Sequence, residues 1–274
     1  MSKLKDRVTV TTVSGKERSF NQVGAQEMID KVGRASATVN QDLGLSQRWL
    51  RMRPKEISNL LDEKDKDYLG HIALPQSEIM QAQVSAYMRK VDDVIIDAIG
   101  GTSYSGELGT TANTLSGAQL VAVDFKGAGV TPANVGLNLA KIIAAKSVLG
   151  KNEVDDDEEF IFLYTQQQLD DLLNNVTQVN SSDYNSVKAL VDGTLNRFMG
   201  FTWIKTQRLP LATDIRTCYA YVKSAVKFAE NARQTHVDIL PTQSHAIQIR
   251  SVADMGAVRM EEKKVVAIAC DEAP

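Results

Sequence analysis

SEIMQAQVSAYMRKVDDVIIDAIGG, residues 77–101, is the stretch whose reading decides the fold. Apolar residues fall at Met80, Val84, Tyr87, Met88, Val91, Val94, Ile95 and Ala98, a continuous stripe at helical spacing. Ser77 is placed to cap the start, and Gly100-Gly101 to end it. At 1.5 Å per residue such a helix is on the order of 35 Å long. A helix of that length forms the backbone of an elongated domain. Asp92, Asp93 and Asp97 fall on its polar side, which reads more simply as a solvated or interface face than as paired catalytic acids.

Downstream of the helix, residues 100–117 are a link rich in Gly, Ser and Thr, followed by a short strand, LVAVDF. Thr131-Pro132, a cap residue before a proline, predicts the start of a second helix. Its stripe is Val135, Leu139, Ile142, Lys146 and Leu149, with the Lys146 stem lying along it and Gly150 stopping it. An acidic run, residues 155–159, leads into FIFLY. An all-apolar strand is buried on both faces, so it is central in a sheet. Thr165 and Gln168 make a capping box for a further helix. CYAYVKSAVKFAEN reads as a strand through Val222 and then a short helical turn. The C-terminal pattern is all β: residues 237–240, 246–249, 256–260 and 265–270, with Glu261 to Lys264 as a charged turn. Strands and helices mix without regular βαβ alternation, so the fold class is α+β.

Upstream, residues 7–20 read as a hairpin: Val8 and Val10 alternate with Thr9 and Thr11, and residues 14–17 supply the turn. Residues 21–45 are polar with scattered glycines and cannot build much core. RWLRMRPKEISNLLDEKDKDYL follows, so the first quarter of the chain needs a neighbour to pack on. Arg48, Arg51, Arg53 and Lys55 surround Trp49. Cations beside an aromatic ring can bind single-stranded nucleic acid, but Trp and Arg also dominate protein–protein hot spots. The chain has 31 basic and 34 acidic residues, a formal charge of −3. That balance favours a subunit interface built on Arg48, Trp49, Arg51 and Arg53, and gives no drive to coat nucleic acid or an anionic membrane.

Enzyme classes fail one by one. Gly101 to Gly106 has the glycine spacing of a P-loop, but Glu107 and Leu108 stand where Lys and Ser or Thr are required. His71, His236 and His245 have no metal-site spacing, and Cys218 and Cys270 form no CxxC, so neither a metal nor a disulfide framework is expected. The acidic run lacks the alternating ligands of an EF-hand and reads as an exposed, solvated loop. No serine sits in GxSxG. No catalytic residue, cofactor or metal is expected, nor any secretory signal or membrane span.

The order of these pieces resembles the major capsid proteins of tailed phages, with the Hong Kong 97-type fold. RVTVTTVSGKERSF and QRWLRMRPKEISNLLDEKDKDYL look like the extended loop that reaches over a neighbour. QAQVSAYMRKVDDVIIDAIGGTSYSGELG looks like the spine helix and its exit, with Arg89, Asp92 and Asp93 in the family's Arg-x-x-Asp flavour. TCYAYVKSAVKFAEN is similar to the return from the axial domain, and SHAIQIRSVADMGAVRMEEKKVVAIACDE to the closing strands. The resemblance implies a short N-terminal arm at 1–6, an extended loop at 7–70 and a peripheral domain with spine helix at 71–150. An axial domain at 151–225 and the closing peripheral strands at 226–274 would complete it. It further implies hexamers and pentamers closing an icosahedral head around weakly contacted double-stranded DNA in the virion, assembled in the host cytoplasm. A portal, decoration proteins and a separate scaffolding protein are the expected partners; because so little precedes the extended loop, the scaffold is either a separate protein or absent. An encapsulin-like compartment and a small-molecule enzyme of unrecognised type are the rival readings.

Overall fold

A computed structural model describes residues 2–24, 26–35, 37–62, 78–127, 129–155, 157–176 and 197–272. Along the chain come β1 (Thr9–Thr11), β2 (Glu17–Val23), β3 (Leu45–Arg51), β4 (Arg53–Leu61) and the long helix α1 (Glu78–Gly100). Then follow β5 (Ser103–Ser105), β6 (Thr111–Asn113), β7 (Leu120–Val121), α2 (Leu139–Lys151), β8 (Phe160–Tyr164) and α3 (Gln166–Val176). The remaining strands are β9 (Arg197–Phe198), β10 (Phe201–Lys205), β11 (Leu211–Ala212), β12 (Ile215–Val222), β13 (Val226–Glu230), β14 (Gln234–Leu240), β15 (Ala246–Arg259) and β16 (Val265–Asp271).

The α+β expectation holds, with the strands sorted into three sheets. A five-stranded sheet is built around β15, which pairs with β13, β14 and β4, while β1 adds to β13. A seven-stranded sheet runs β7-β16-β12-β8-β10-β9, with β11 on β12. A four-stranded sheet runs β2-β3-β5-β6. FIFLY lies between β12 and β10, as an all-apolar strand should. Helix α1 buries Val91, Ile95, Ile96 and Ile99 in a core continuous with both larger sheets. Its expected Ser77 cap lies outside the described residues.

Several local readings are corrected. Residues 7–20 form no hairpin: β1 pairs in parallel with β13, Thr9 opposite Lys227, whereas β2 pairs with β3. The second helix starts at Leu139, not after Thr131-Pro132, because Asn138 accepts the Lys141 N–H at 2.8 Å and caps it. Lys146 is exposed, and Lys141 is the buried lysine, its Nζ donating to the carbonyls of Val123, Val135 and Ala269 at 2.6–2.9 Å. The apparent link after α1 contains β5 and β6. The two closing strands read at 246–249 and 256–260 are one strand of 14 residues, β15. Sheet membership also cuts across the expected boundaries, since β16 pairs along β12 from Ile215↔Asp271 to Tyr221↔Val265. The acidic run is only partly a solvated loop: Asp155 and Asp157 are exposed, but Glu158 pairs with Lys264 at 2.8 Å and Glu159 pairs with Arg7.

The start of α3 is held by one carboxylate. Thr165 N–H donates to Gln168 Oε1 at 3.0 Å, the backbone half of the expected capping box. Gln168 Nε2 then donates to Glu272 at 2.6 Å, and Arg216 forks onto the same group through Nε at 3.0 Å and Nη2 at 2.9 Å. Burial alone would raise the Glu272 carboxyl, but the hydrogen bonds from Arg216 and Gln168 outweigh it and hold the group below its usual 4.5. A depressed acid contributes stability that is complete above about pH 4.5 and is lost as pH falls through the lowered value. Glu272→Gln should therefore flatten the acid limb of a plot of Tm against pH. Wild type and variant losing stability in parallel below that pH would refute this.

Candidate functional site

The period-2 alternation of β3 and β4 divides the basic cluster between two environments. Arg48, Leu50 and Met52 point inward and are buried. Trp49, Arg51, Arg53 and Lys55 line a groove of about 230 Å³ beside α1, whose opposite wall includes Val94 and Ala98. Lys55 and Met255 continue it into a second groove of about 220 Å³, floored by Ile57, Ala86 and Ala253 and rimmed by Lys55, Lys90 and Arg233.

The four expected interface residues differ in what they hold. Arg48 is 8% exposed and satisfied inside its own chain, by Gln22 at 3.2 Å, Ser103 at 3.0 Å and Glu262 at 2.6 Å. Trp49 donates from Nε1 to Gly106 O at 2.7 Å. Gly109, at φ +61°, lies so close that a Cβ there would come within 2.8 Å of the indole. Arg51 donates to Gly109 O at 3.0 Å and stacks 4.6 Å from the Tyr104 ring centre. Arg53 is exposed and has no ion pair among the described residues. The P-loop-like glycine segment thus serves as packing: Gly106 O accepts from Trp49, and Gly101 O accepts from Arg259.

Beneath the cluster, Arg259 is fully buried. Its Nη1 donates to Ile99 O at 2.8 Å and Gly101 O at 2.7 Å, and its Nη2 to Asn113 O at 3.1 Å. These bonds satisfy carbonyls at the end of α1 that the helix cannot satisfy itself. Glu262 accepts from Arg48 and from Ser103 at 3.2 Å, so the helix end, the β5–β6 pair and β3 meet at one polar hub.

β2 and β3 form an arm that is clamped at its root and bare at its tip. Their register runs from Glu17↔Arg51 to Val23↔Leu45, and Gly24 N donates to Gly44 O at 2.8 Å. At the root, Val13, Leu50, Met52, Ala229, Val258 and Met260 form a second small core with Phe20 against it. Lys227 Nζ sits 4.1 Å over the Phe20 ring, and Gln22 donates to Met260 O at 2.7 Å. Beyond the root the apolar side chains have no cover: Val23 is 62% exposed, Met28 102%, Val32 91% and Leu45 71%. Such a cluster on a projecting loop marks an interaction surface.

The whole-chain comparisons agree with this geometry. A family model described as phage capsid protein matches residues 1–272. The chain belongs to the phage capsid protein family. No curated protein matches it by sequence. Among solved structures, that of Mycobacterium phage Che8 is similar at TM-score 0.66 and 17% identity, covering 93% of this chain and 85% of that one. The capsid of cyanophage P-SCSP1u is similar at TM-score 0.70 and 16% identity, covering 100% and 89%. Gordonia phage Cozz gives TM-score 0.70 and 13% identity, covering 99% and 87%. These likenesses place the fold among the Hong Kong 97-type capsid folds.

As a capsid protein, the chain is a structural component of the virion shell, built from many copies, and not a member of an enzyme class. For such a subunit the informative parts are the arm tip, the grooves beside α1 and the hub beneath them. Of the residues picked from sequence, Trp49, Arg51 and Arg53 share a groove and Arg48 turns away from it. Arg259 is missing from the sequence reading and Glu262 enters it only within a charged turn, since their hydrogen-bond partners lie 146–214 residues away in sequence. Asp92, expected on a solvated or interface face, is 7% exposed and accepts hydrogen bonds from residues 2–4. Asp93 pairs with Arg208 at 2.6 Å, and Asp97 is exposed.

Proposed function

We propose that this chain builds the hexamers and pentamers of an icosahedral head enclosing double-stranded DNA. One observation carries the reading: an arm fixed at its root exposes apolar side chains that its own chain leaves uncovered. Burying them on a neighbour makes a heterologous contact, which closes into a ring when the rotation between copies is right. The five-stranded sheet with α1 would be the peripheral part of the subunit. The seven-stranded sheet, with β16 included, would be the axial part. Arg48, Trp49 and Arg51 serve the interface by stiffening the arm root, and Arg53 by direct contact. Assembly takes place in the host cytoplasm on a separate scaffolding protein and a portal, with decoration proteins added outside. The formal charge of −3 suits a container that touches DNA weakly and without sequence preference.

Negative-stain imaging of the chain, expressed alone and with its neighbouring genes, tests this. The expected result is closed shells with six-fold and five-fold clusters, filled with DNA in the infected cell. A small discrete oligomer at every concentration would overturn the reading, and shells filled with protein cargo would replace it with the compartment.

A further inference from the structure

We propose that the groove rimmed by Lys55, Lys90 and Arg233 receives the arm-tip segment Glu27-Met28-Ile29-Asp30 of a second copy. This rests on the arm-over-neighbour reading above and names both faces of the contact.

The two surfaces are complementary in shape and charge. The groove has an apolar floor, including Ile57, Ala86 and Ala253, and holds about 220 Å³, room for one or two aliphatic side chains. Lys55, Lys90 and Arg233 have no ion pair among the described residues, and the acid beside them, Glu56, is engaged by Arg250 at 2.7 Å. The neighbouring groove along α1 has more cations but fewer unengaged ones, because Arg51 faces Glu17 at 3.2 Å, Arg259 is bonded to buried carbonyls, and exposed Asp97 stands against Arg53 and Lys55. On the tip, Met28 is 102% exposed and Ile29 55% exposed, and both are bracketed by the exposed carboxylates of Glu27 and Asp30. Lys31 and Arg34 follow the segment, so 27–30 is the stretch in which two acids bracket two apolar residues, whereas Asp42-Leu43 across the loop offers one of each. Gln41 Nε2 donates to Glu27 O at 2.9 Å and ties the two sides of the loop together beside this segment.

The occupant comes from another copy. The seven-residue ladder of β2 and β3 carries the tip on the order of 20 Å from the root. The complete exposure of Met28 shows that the tip does not fold back into its own groove. Seating Met28 and Ile29 removes apolar surface from water on both sides, and the flanking ion pairs fix the register.

Charge reversal and crosslinking on the full chain test the pairing. Lys55→Glu with Lys90→Glu, and separately Glu27→Lys with Asp30→Lys, should each cut shell yield about tenfold at low salt. The chain carrying all four changes should recover most of that loss. Circular dichroism of unassembled subunits checks that each variant folds. Met28→Cys with Ile57→Cys should give a ladder of disulfide-linked copies in oxidised shells that neither single variant gives, since Cys218 and Cys270 are buried. Shells without that ladder, or folded charge variants with no loss and no rescue, overturn the pairing while leaving the capsid reading intact. A ladder from Met28→Cys with Val237→Cys in its place would put the tip on β14 and overturn it too. A wild-type chain that never forms shells fails the capsid reading itself, which is a distinct result.

Discussion

Replacing Arg259 with leucine should lower subunit stability by about 3–5 kcal/mol, the usual cost of removing one member of a buried charged network. The guanidinium is fully buried and donates to Ile99 O, Gly101 O and Asn113 O. Leucine fills part of the volume but donates nothing. Carbonyls at the end of α1 would lose their partner in a site water does not reach. Desolvating the guanidinium is itself unfavourable, and burial pulls its pKa down, so part of the loss is returned. The net still falls on the side of loss, because several acceptors are stranded for one cation removed. Arg259→Lys should be intermediate, since one ammonium cannot reproduce the planar fork that reaches three carbonyls. In a chain of this size a loss of 3–5 kcal/mol lowers Tm on the order of 10 °C. Calorimetry of unassembled subunits measures it, and a change under about 1 kcal/mol for the leucine variant would show that the hub is not what holds the end of α1. Because Arg48, Ser103 and Glu262 share the hub, the arm root should loosen with it.

The same hub marks where reading the sequence stops. Helix α1 was legible because its apolar stripe is periodic, but of that stripe only Val91 and Ile95 are buried, with Ile96 and Ile99 turned inward beside them. FIFLY was legible because five consecutive apolar residues need cover on both faces. The Thr165–Gln168 cap was legible because both partners lie within one turn. The false hairpin at 7–20 shows the opposite case. Its alternation was real, but β1 pairs with β13, 218 residues on, and no local pattern carries that partner. Lys141 and Lys146 are equivalent in sequence, and only the carbonyls of Val123, Val135 and, in β16, Ala269 decide that the first is buried. β15 looked like two strands because Arg250, Ser251 and Asp254 interrupt its apolar pattern ahead of Gly256. That glycine is there because a Cβ would meet Arg51 O at 2.3 Å, where the arm root crosses the sheet. At the candidate site, sequence found the basic cluster and its aromatic centre. It missed that alternation turns Arg48 to Glu262 and leaves Arg53 outside. The unsupported apolar tip was foreseen as a segment in need of a neighbour, without the residues that form it.

Asp92→Ala should cost about 3 kcal/mol and release the start of the chain from the long helix. The Asp92 carboxylate accepts from Ser2 Oγ at 2.6 Å, from Lys3 N at 3.1 Å and from Leu4 N at 3.1 Å. Hydrogen bonds to a charged acceptor are worth about 1.5–3 kcal/mol each, and bonds made as a set to one group are not additive. Leu4 is fully buried and Val8 is 1% exposed, both in the main core. If residues 2–8 detach, their burial is lost as well, at about 1.5–3 kcal/mol for each large side chain. The carboxylate therefore decides whether that segment docks, and the apolar contacts follow from it. Asp92→Asn keeps one oxygen acceptor and should retain part of the docking, which separates the acceptor geometry from the charge. Hydrogen exchange gives the direct readout: the amides of Lys3 and Leu4 should exchange much faster in the alanine variant, with α1 itself nearly unchanged. β1 should then fray from β13, since Thr9–Thr11 is held in that sheet at its edge by three paired residues alone. Unchanged protection of those amides, with stability within about 1 kcal/mol of wild type, would show that Leu4 and Val8 hold the segment without the carboxylate.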